Sequence, residues 1–328
     1  MKKFLFSLFL FVAYLPSHAQ ENTHIHESFH MGSPFAITVV HSDREKAWEA
    51  IEAAEKEIER IEALISSWRP TSQTSSINKH AGLKAVKVSE ELFQLIYRAK
   101  KVSQLSQGAF DISYASMDRI WKFDGTMTQM PSPEAIAKSV EKIGYQQIEL
   151  QEARKEVFLQ RQGMKIGFGA MGKGYAANRA KAILQAKGIS SGMVNAGGDL
   201  TAWGKEENGE SWKIAIADPS KKKTVLAWLE LSDQAVVTSG DYERFVEIEG
   251  KRYAHIIDPR TGYPVQGIKS VSIICPDAEL ADALATCVFV MGREKGLKLI
   301  EKLQGIECLI ITDENEIVTS NKLKLSYE

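Results

Sequence analysis

Hydrophobic residues recur along this chain with two characteristic spacings. Over residues 43–66, Ala and Ile return at three- and four-residue steps while Glu and Lys fill the other positions, which predicts an amphipathic helix. Ser89 can cap a second helix with the same spacing, ending near residue 105. The Ser- and Thr-rich segment between them, residues 67–80, is predicted to be a loop.

Later helices and strands alternate irregularly. Helices are predicted at 133–143, 173–187, 279–290 and 293–304, and strands at 35–40, 147–150, 156–160, 193–196, 211–217, 225–231, 244–248, 252–257, 271–274, 307–312 and 316–319. Several strands are joined by links of hairpin length. This pattern favours an α+β fold with mixed or antiparallel sheets over a regular βαβ array.

The first nineteen residues are typical of a secretory signal. Lys2 and Lys3 precede an apolar run of about a dozen residues, and Ser17 and Ala19 suit a cleavage site. The run is shorter than the roughly 20 residues that span a membrane, so we expect cleavage and a periplasmic protein; an uncleaved segment would act as a membrane anchor. Residues 20–328 then exceed the usual size of one hydrophobic core, so one large domain and two intimately joined subdomains are both possible.

Composition narrows the remaining possibilities. The chain is 44% hydrophobic and 25% charged, and its net charge of −1 gives no reason to expect nucleic acid as a partner. Residues 20–30 contain His24, His26 and His30, and we expect a mobile N-terminus there rather than a metal-binding tract. The three cysteines, Cys275, Cys287 and Cys308, lie in apolar sequence and are expected to be buried thiols. The oligomeric state stays open, with a homodimer among the options.

Two glycine-rich segments could bind phosphate. Residues 167–172 match the dinucleotide pattern G-x-G-x-x-G, but the acidic residue that a nicotinamide site needs after the next strand is missing, so that site is rejected. Lys173 and the start of a helix still suit a phosphate, although tight helix–strand packing explains the glycines equally well. Gly197 and Gly198 lie in a turn that either exposes backbone donors to an anion or serves only as a turn.

Polar side chains suggest a metal site and a base. Asp282 and Thr286 share one face of a predicted helix, and their hard oxygens suit Mg²⁺; a helix-end Asp and a Thr bonded to its own helix are the alternative. His255 ends a predicted strand and is followed by turn residues, where it could be a general base, a phosphate contact or a structural histidine. Asp241 lies in the segment Thr238-Ser239-Gly240-Asp241-Tyr242.

Taken in order, these segments resemble the ApbE family, the FAD:protein FMN transferases. The resemblance is carried by Met31-Gly32-Ser33, Ser66-Ser67-Trp68, Ser76-Ile77-Asn78, Gly108-Ala109-Phe110-Asp111, Trp121-Lys122-Phe123, Gly169 to Tyr175, Asn195 to Asp199, Thr238 to Tyr242, His255 to Gly262 and Ala281 to Thr286. It implies an α+β fold with FAD in a groove between two halves, and Mg²⁺ at the FAD pyrophosphate.

The resemblance also implies roles for individual residues. The implied metal ligands are Asp282, Thr286 and the carbonyl of Ala170, and the implied FAD contacts are Met31, Trp68, Ala109, Phe110, Asp111, Lys173 and Ile257, to which the turn Gly197-Gly198 adds backbone donors. His255 is implied to lie beside the phosphates, and we expect His255 or Asp241 to help deprotonate the attacking hydroxyl. The implied acceptor is a threonine, less often a serine, of a partner flavoprotein in a membrane or exported redox complex.

Two positions depart from the family pattern. Some relatives carry acids where this chain has Gly167 and Ala285, so a backbone carbonyl or water would replace those ligands. Two other activities fit the same residues: an FAD pyrophosphatase that releases FMN and AMP, and an FAD carrier without catalysis.

Overall fold

A computed structural model describes residues 23–221, 224–241 and 245–327. The predicted signal, residues 1–19, and Tyr242 lie outside the described residues. No helix in the described part of the chain is both long enough and apolar enough to cross a membrane.

Strands and helices alternate along the chain. The strands are β1 (Thr23–His30), β2 (Ser33–Val40), β3 (Val86–Lys87), β4 (Ile148–Gln151), β5 (Glu156–Leu159), β6 (Ser191–Ala196), β7 (Asp199–Trp203), β8 (Trp212–Ala217), β9 (Val225–Leu231), β10 (Gln234–Gly240), β11 (Phe245–Ile248), β12 (Lys251–Ala254), β13 (Ile268–Cys275), β14 (Glu307–Thr312) and β15 (Ile317–Thr319). The α-helices are α1 (Arg44–Ile65), α2 (Gln73–Lys79), α3 (Glu90–Leu105), α4 (Pro133–Val140), α5 (Gly172–Ala186), α6 (Ala278–Met291) and α7 (Arg293–Ile300), and 3₁₀ turns cover Ile112–Ser116, Tyr145–Gln147 and Glu152–Arg154.

An eight-stranded sheet forms the centre of the molecule. Its strand order is β1-β2-β6-β7-β10-β13-β14-β15, and the smaller sheets are β3-β5-β4, β8-β9 and β11-β12. Every strand pair among the described residues is antiparallel. The predicted α+β class with antiparallel sheets is therefore confirmed. Because β6, the strand after α5, pairs antiparallel with β2 and β7, the glycine segment does not open a parallel βαβ unit.

The two faces of the central sheet are covered differently. Helices α5 and α6 pack against β6, β7, β10 and β13, and α1 packs on α5, so this face contains the main hydrophobic core. A smaller core lies on the other face, where β8 and β9 contribute apolar side chains. A third cluster joins Trp121, Ile136 and Ile257 to strand β11.

The expected mobile N-terminus is wrong for residues 23–30, which form β1. All eight residues of β1 pair with β2. The histidines take part in holding the strand to α1: His30 contacts Glu55 and lies 3.7 Å from Glu62, and Ser28 donates a hydrogen bond to Glu55. Because polar side chains occupy most positions of β1, hydrophobic periodicity does not reveal it.

The sequence patterns also do not predict helix α2 or strands β7 and β10. The expected loop at 67–80 contains α2, whose N-terminus is capped by the Ser72 hydroxyl. Strand β7 is buried at every position, and β10 is buried or half-buried throughout, so neither shows an alternation of polar and apolar residues.

The cysteine prediction is confirmed. Cys275, Cys287 and Cys308 are buried free thiols. Burial raises the pKa of Cys275 to about 11 and the pKa values of Cys287 and Cys308 to about 12, so these thiols stay protonated at neutral pH.

Candidate functional site

Helices α5 and α6 meet closely near their N-termini. A Cβ atom on Gly174 would lie 2.1 Å from the backbone oxygen of Ala278 and 3.0 Å from the Cβ of Asp282. Only glycine allows this approach. The Gly174 N–H donates a hydrogen bond of 3.3 Å to Oδ2 of Asp282, which places that carboxylate at the N-terminal end of α5.

A buried group of charged side chains occupies this junction. Asp199 and Asp282 are 1% and 5% exposed, and Nζ of Lys173 lies 3.0 Å from Oδ2 of Asp199. Burial, and then the neighbouring carboxylate of Asp199, raise the pKa of Asp282 well above its ordinary value, while Lys173 opposes the shift. Two carboxylates facing one ammonium make a centre that suits a cation. Among the described residues, no group of three or more His, Cys, Asp and Glu side chains is arranged to hold a metal, so further oxygens would have to come from other groups.

The other two predicted metal ligands lie on the same chain segments as this group, one on α6 and one just before α5. Thr286 is half-buried one turn after Asp282 on α6, and Ala170 is half-buried in the turn that leads into α5. A hydroxyl and a backbone carbonyl are both oxygen ligands of the kind that Mg²⁺ accepts.

The two predicted glycine turns come together at Lys173. Gly197 and Gly198 have φ values of +63° and +101°, and Asn195 accepts a hydrogen bond of 2.8 Å from the Gly198 N–H. A Cβ on Gly197 would lie 2.7 Å from the Cβ of Ser33 and 3.6 Å from Cδ of Lys173. Ser33 directly follows the β1–β2 turn that contains Met31. The structure thus places Met31, Gly197, Gly198 and Lys173 in one region.

The segment from Ala109 to Asp111 is largely buried. The side chains of Ala109 and Phe110 belong to the interior, so a ligand could contact them only through the backbone. Asp111 accepts hydrogen bonds of 2.8 and 2.6 Å from the Ser113 N–H and hydroxyl, and one of 2.7 Å from the Tyr145 N–H. Burial raises the pKa of Asp111, while these donors oppose the shift. The carboxylate of Asp111 therefore orders this loop.

Trp68 forms an exposed aromatic surface. Its side chain is 75% exposed, and the guanidinium of Arg119 lies 4.4 Å above the ring centroid. A Cβ on Gly167 would lie 3.1 Å from Ala115 and 3.7 Å from the Ser67 hydroxyl, so the Trp68 loop, the Arg119 loop and the glycine segment are neighbours.

His255 and Ile257 lie in a loop held by the third cluster. The ring of His255 meets that of Phe123 edge to face at 6.5 Å, and Ile257 is buried with Trp121. Nε1 of Trp121 donates a hydrogen bond of 2.9 Å to the carbonyl of Gly262, which closes the loop. The other end of the loop reaches the predicted FAD segment, because Arg260 passes about 3.7 Å from the position that a Cβ of Gly108 would occupy.

Asp241 and Met31 line different cavities. Asp241 lines a cavity of about 340 Å³ with Arg252 and Lys269, whereas Met31 lines a different cavity of about 430 Å³ beside Glu62. Burial raises the pKa of Asp241, and Arg252, whose Nε is 3.8 Å from its carboxylate, opposes the shift.

Two further residues contact the predicted site residues. Asp199 contacts Lys173, and Arg119 contacts Trp68. Asp199 is visible in the sequence as the acid directly after Gly197-Gly198, but its contact with Lys173 depends on the pairing of β7. Arg119 has no signal in the sequence.

Comparison with known proteins decides the family. The model of the ApbE family matches residues 31–310. The chain belongs to the ApbE family. It is 31% identical over 299 residues to a protein of Klebsiella pneumoniae named FAD:protein FMN transferase, covering 90% of this chain and 92% of that protein. A protein of the same name from Treponema pallidum is 32% identical over 279 residues, covering 80% of this chain and 77% of the relative.

Solved ApbE structures share the fold. The crystal structure of the ApbE protein from Thermotoga maritima superposes with a TM-score of 0.83 at 33% identity, over 92% of this chain and 97% of the other. The family indicated by the sequence motifs is therefore confirmed.

Proposed function

We propose that this ApbE-family protein is a Mg²⁺-dependent transferase that moves FMN from FAD to a threonine or serine hydroxyl of a target flavoprotein and releases AMP. Two relatives are named FAD:protein FMN transferase, and the chain covers 92% of one and 77% of the other. The observation that carries the proposal is the buried group of Asp199, Lys173 and Asp282 at the N-terminal end of α5. The signal-like sequence of residues 1–19 supports action after export.

The residues at this junction fit Mg²⁺. When Asp282 is ionised, two buried carboxylates and one ammonium leave an excess of negative charge, which is costly in the interior unless a cation compensates it. Mg²⁺ prefers oxygen ligands and keeps several waters, so Asp282, the Thr286 hydroxyl and the Ala170 carbonyl would be enough to hold it. The cation would supply neutralisation of the charge that develops on the pyrophosphate.

The surrounding backbone suits the pyrophosphate. The first turn of α5 offers the positive end of the helix dipole, and Lys173 adds an ammonium there. The turn Gly197-Gly198 lies against Lys173 and is proposed to add the N–H of Gly197, because the N–H of Gly198 donates to Asn195. Met31, Trp68, the backbone of residues 109–111 and Ile257 are proposed to hold the two ring systems of FAD.

The transfer exchanges the phosphoanhydride bond of FAD for a phosphoester bond to the acceptor. The oxygen of the acceptor hydroxyl attacks the phosphorus on the FMN side, the bond to the AMP oxygen breaks, and AMP leaves. The proton of the hydroxyl passes to a base, for which we propose His255 with the support of Asp241. The chain contributes positioning and charge stabilisation, and forms no covalent bond to the flavin.

The direct test combines the protein with FAD, Mg²⁺ and an acceptor domain that carries a threonine motif. AMP is followed by chromatography, and the acceptor by mass spectrometry. AMP release together with a gain of one FMN mass supports the transferase. AMP release without a mass gain would identify a pyrophosphatase, and FAD binding with no AMP release would identify a carrier.

Asp282→Asn tests the metal assignment. The substitution keeps the shape and an acceptor for the Gly174 N–H but removes the charge, so Mg²⁺-dependent AMP release should fall by roughly 10²–10³-fold. The rate of AMP release against Mg²⁺ concentration measures it. Asp233→Asn is the matched control, since Asp233 is exposed and its φ of +53° is one that asparagine also adopts. Normal turnover in Asp282→Asn would reject Asp282 as the ligand.

A further inference from the structure

Asp199 lies at the centre of the charged group, but the family motifs give it no role. Strand β7 begins at Asp199, immediately after the turn Gly197-Gly198. Two residues later on the same face of β7 lies Thr201, followed by the buried Trp203, so this face packs into the interior. The carboxylate of Asp199 is therefore fixed by a buried strand and cannot move away from its neighbours.

Lys173 is held by the carboxylate of Asp199. Its stem passes Gly197, where a Cβ would lie 3.6 Å from Cδ of Lys173, and its Nζ ends 3.0 Å from Oδ2 of Asp199. The same ammonium acts electrostatically on Asp282. Asp282 lies beside the next residue along α5, since its Oδ2 accepts a hydrogen bond from the N–H of Gly174, and an ammonium bound to Asp282 would compete with a cation at the same oxygens.

We propose that Asp199 is a positioning residue that holds the ammonium of Lys173 and so leaves the oxygens of Asp282 open to Mg²⁺. The inference rests on the proposed function, because it takes Asp282 as the ligand. Asp199 acts through Lys173, because the ion pair keeps the ammonium at the N-terminal end of α5 and away from the oxygens of Asp282.

The test measures Mg²⁺ affinity by titration calorimetry in the wild-type protein, Asp199→Asn, Lys173→Met and the double variant, each without acceptor. In Asp199→Asn the ammonium turns to Asp282, and Mg²⁺ binding weakens by roughly 10- to 100-fold, as is typical when the partner of a metal ligand is lost. In the double variant the competing ammonium is gone, so the affinity returns to that of Lys173→Met. Asp233→Asn again serves as the control and keeps the wild-type affinity.

Lys173→Met provides an independent arm that does not require Asp199→Asn to fold. Removing the ammonium leaves two uncompensated carboxylates, so this variant binds Mg²⁺ at least as tightly as the wild type. Weaker binding by Lys173→Met would overturn the proposal.

The remaining outcomes separate the inference from the proposed function. Unchanged affinity in Asp199→Asn overturns the positioning role. A double variant that stays as weak as Asp199→Asn also overturns it, since Asp199 would then act on the cation directly. A wild-type protein that binds no Mg²⁺ instead rejects the metal site of the proposed function, and the inference falls with it.

Discussion

Gly174 sets the distance between α5 and α6, the two helices that carry Lys173 and Asp282. A methyl group there would overlap the backbone of α6 at Ala278, and backbone atoms cannot rotate away as a side chain can. The same close approach brings the N-terminal end of α5 to the carboxylate of Asp282. The absence of a side chain at Gly174 thus determines both how closely the helices pack and where the carboxylate of Asp282 lies.

Gly174→Ala should therefore force α5 and α6 apart. We expect a loss of about 1–3 kcal/mol in the free energy of unfolding, as is typical of overpacking, together with weaker Mg²⁺ binding. Denaturant titration and calorimetry measure the two effects. Gly169→Ala is the control, because no atom lies within 4 Å of the added Cβ, and its stability should stay within about 0.5 kcal/mol of the wild type. Equal stability of both variants would contradict the account.

At the scale of elements, ion pairs tie the helices around the site to one another. Arg98 of α3 donates two hydrogen bonds of 2.7 and 2.8 Å to Glu279 in the first turn of α6. Arg60 of α1 pairs with Glu91 of α3, which also accepts a hydrogen bond from the hydroxyl of Tyr175 on α5. These contacts link both site helices, α5 and α6, to helices outside the site.

Arg98→Met should destabilise the docking of α6. Burial raises the pKa of Glu279 and Arg98 opposes the shift, so loss of the guanidinium leaves a buried carboxylate without its partner. We expect about 1–2 kcal/mol of lost stability, reduced from the value for fully buried pairs because Arg98 is partly exposed. Denaturant titration measures it, and adding Glu279→Gln should recover part of the loss. Arg293→Met, at the exposed pair with Glu316, is the control and should cost less than about 0.5 kcal/mol.

The elements differ in how well the sequence predicts them. Helices α1 and α3 carry strong signals, because Asp43 and Ser89 cap them and their apolar residues repeat on one face. Strands β7 and β10 give no such signal, since both lie inside the sheet and polar residues such as Thr201 are buried in it. The spacing of Asp282 and Thr286 is visible in the sequence. The pairing of Asp199 with Lys173 is not, because it depends on how a central strand packs under α5.

At the scale of the whole molecule, β1 is the edge strand on one side of the central sheet. It covers the backbone of β2 along eight residue pairs, and its contacts with Glu55 hold it against α1. A chain that begins at Met31 should expose the edge of β2, lose about 2–4 kcal/mol of stability and self-associate. Denaturant titration and light scattering measure the two effects.

A chain that begins at Thr23 is the matched control for this truncation. It keeps the whole of β1 and should match a chain that begins at Gln20 in unfolding midpoint and in oligomeric state. If the chain that begins at Met31 is as stable and as monodisperse as this control, β1 has no structural role in the sheet.

The charged group joins residues that are far apart along the chain, and this determines when the site forms. Gly174 and Asp282 are separated by 108 residues, and Asp199 comes from a strand between them. Closing so long a loop is entropically costly and slow, so contacts of this kind form late in folding. A nascent or partly folded chain lacks the complete charge arrangement. Under the proposed function, cleavage of FAD is therefore confined to molecules that have finished folding.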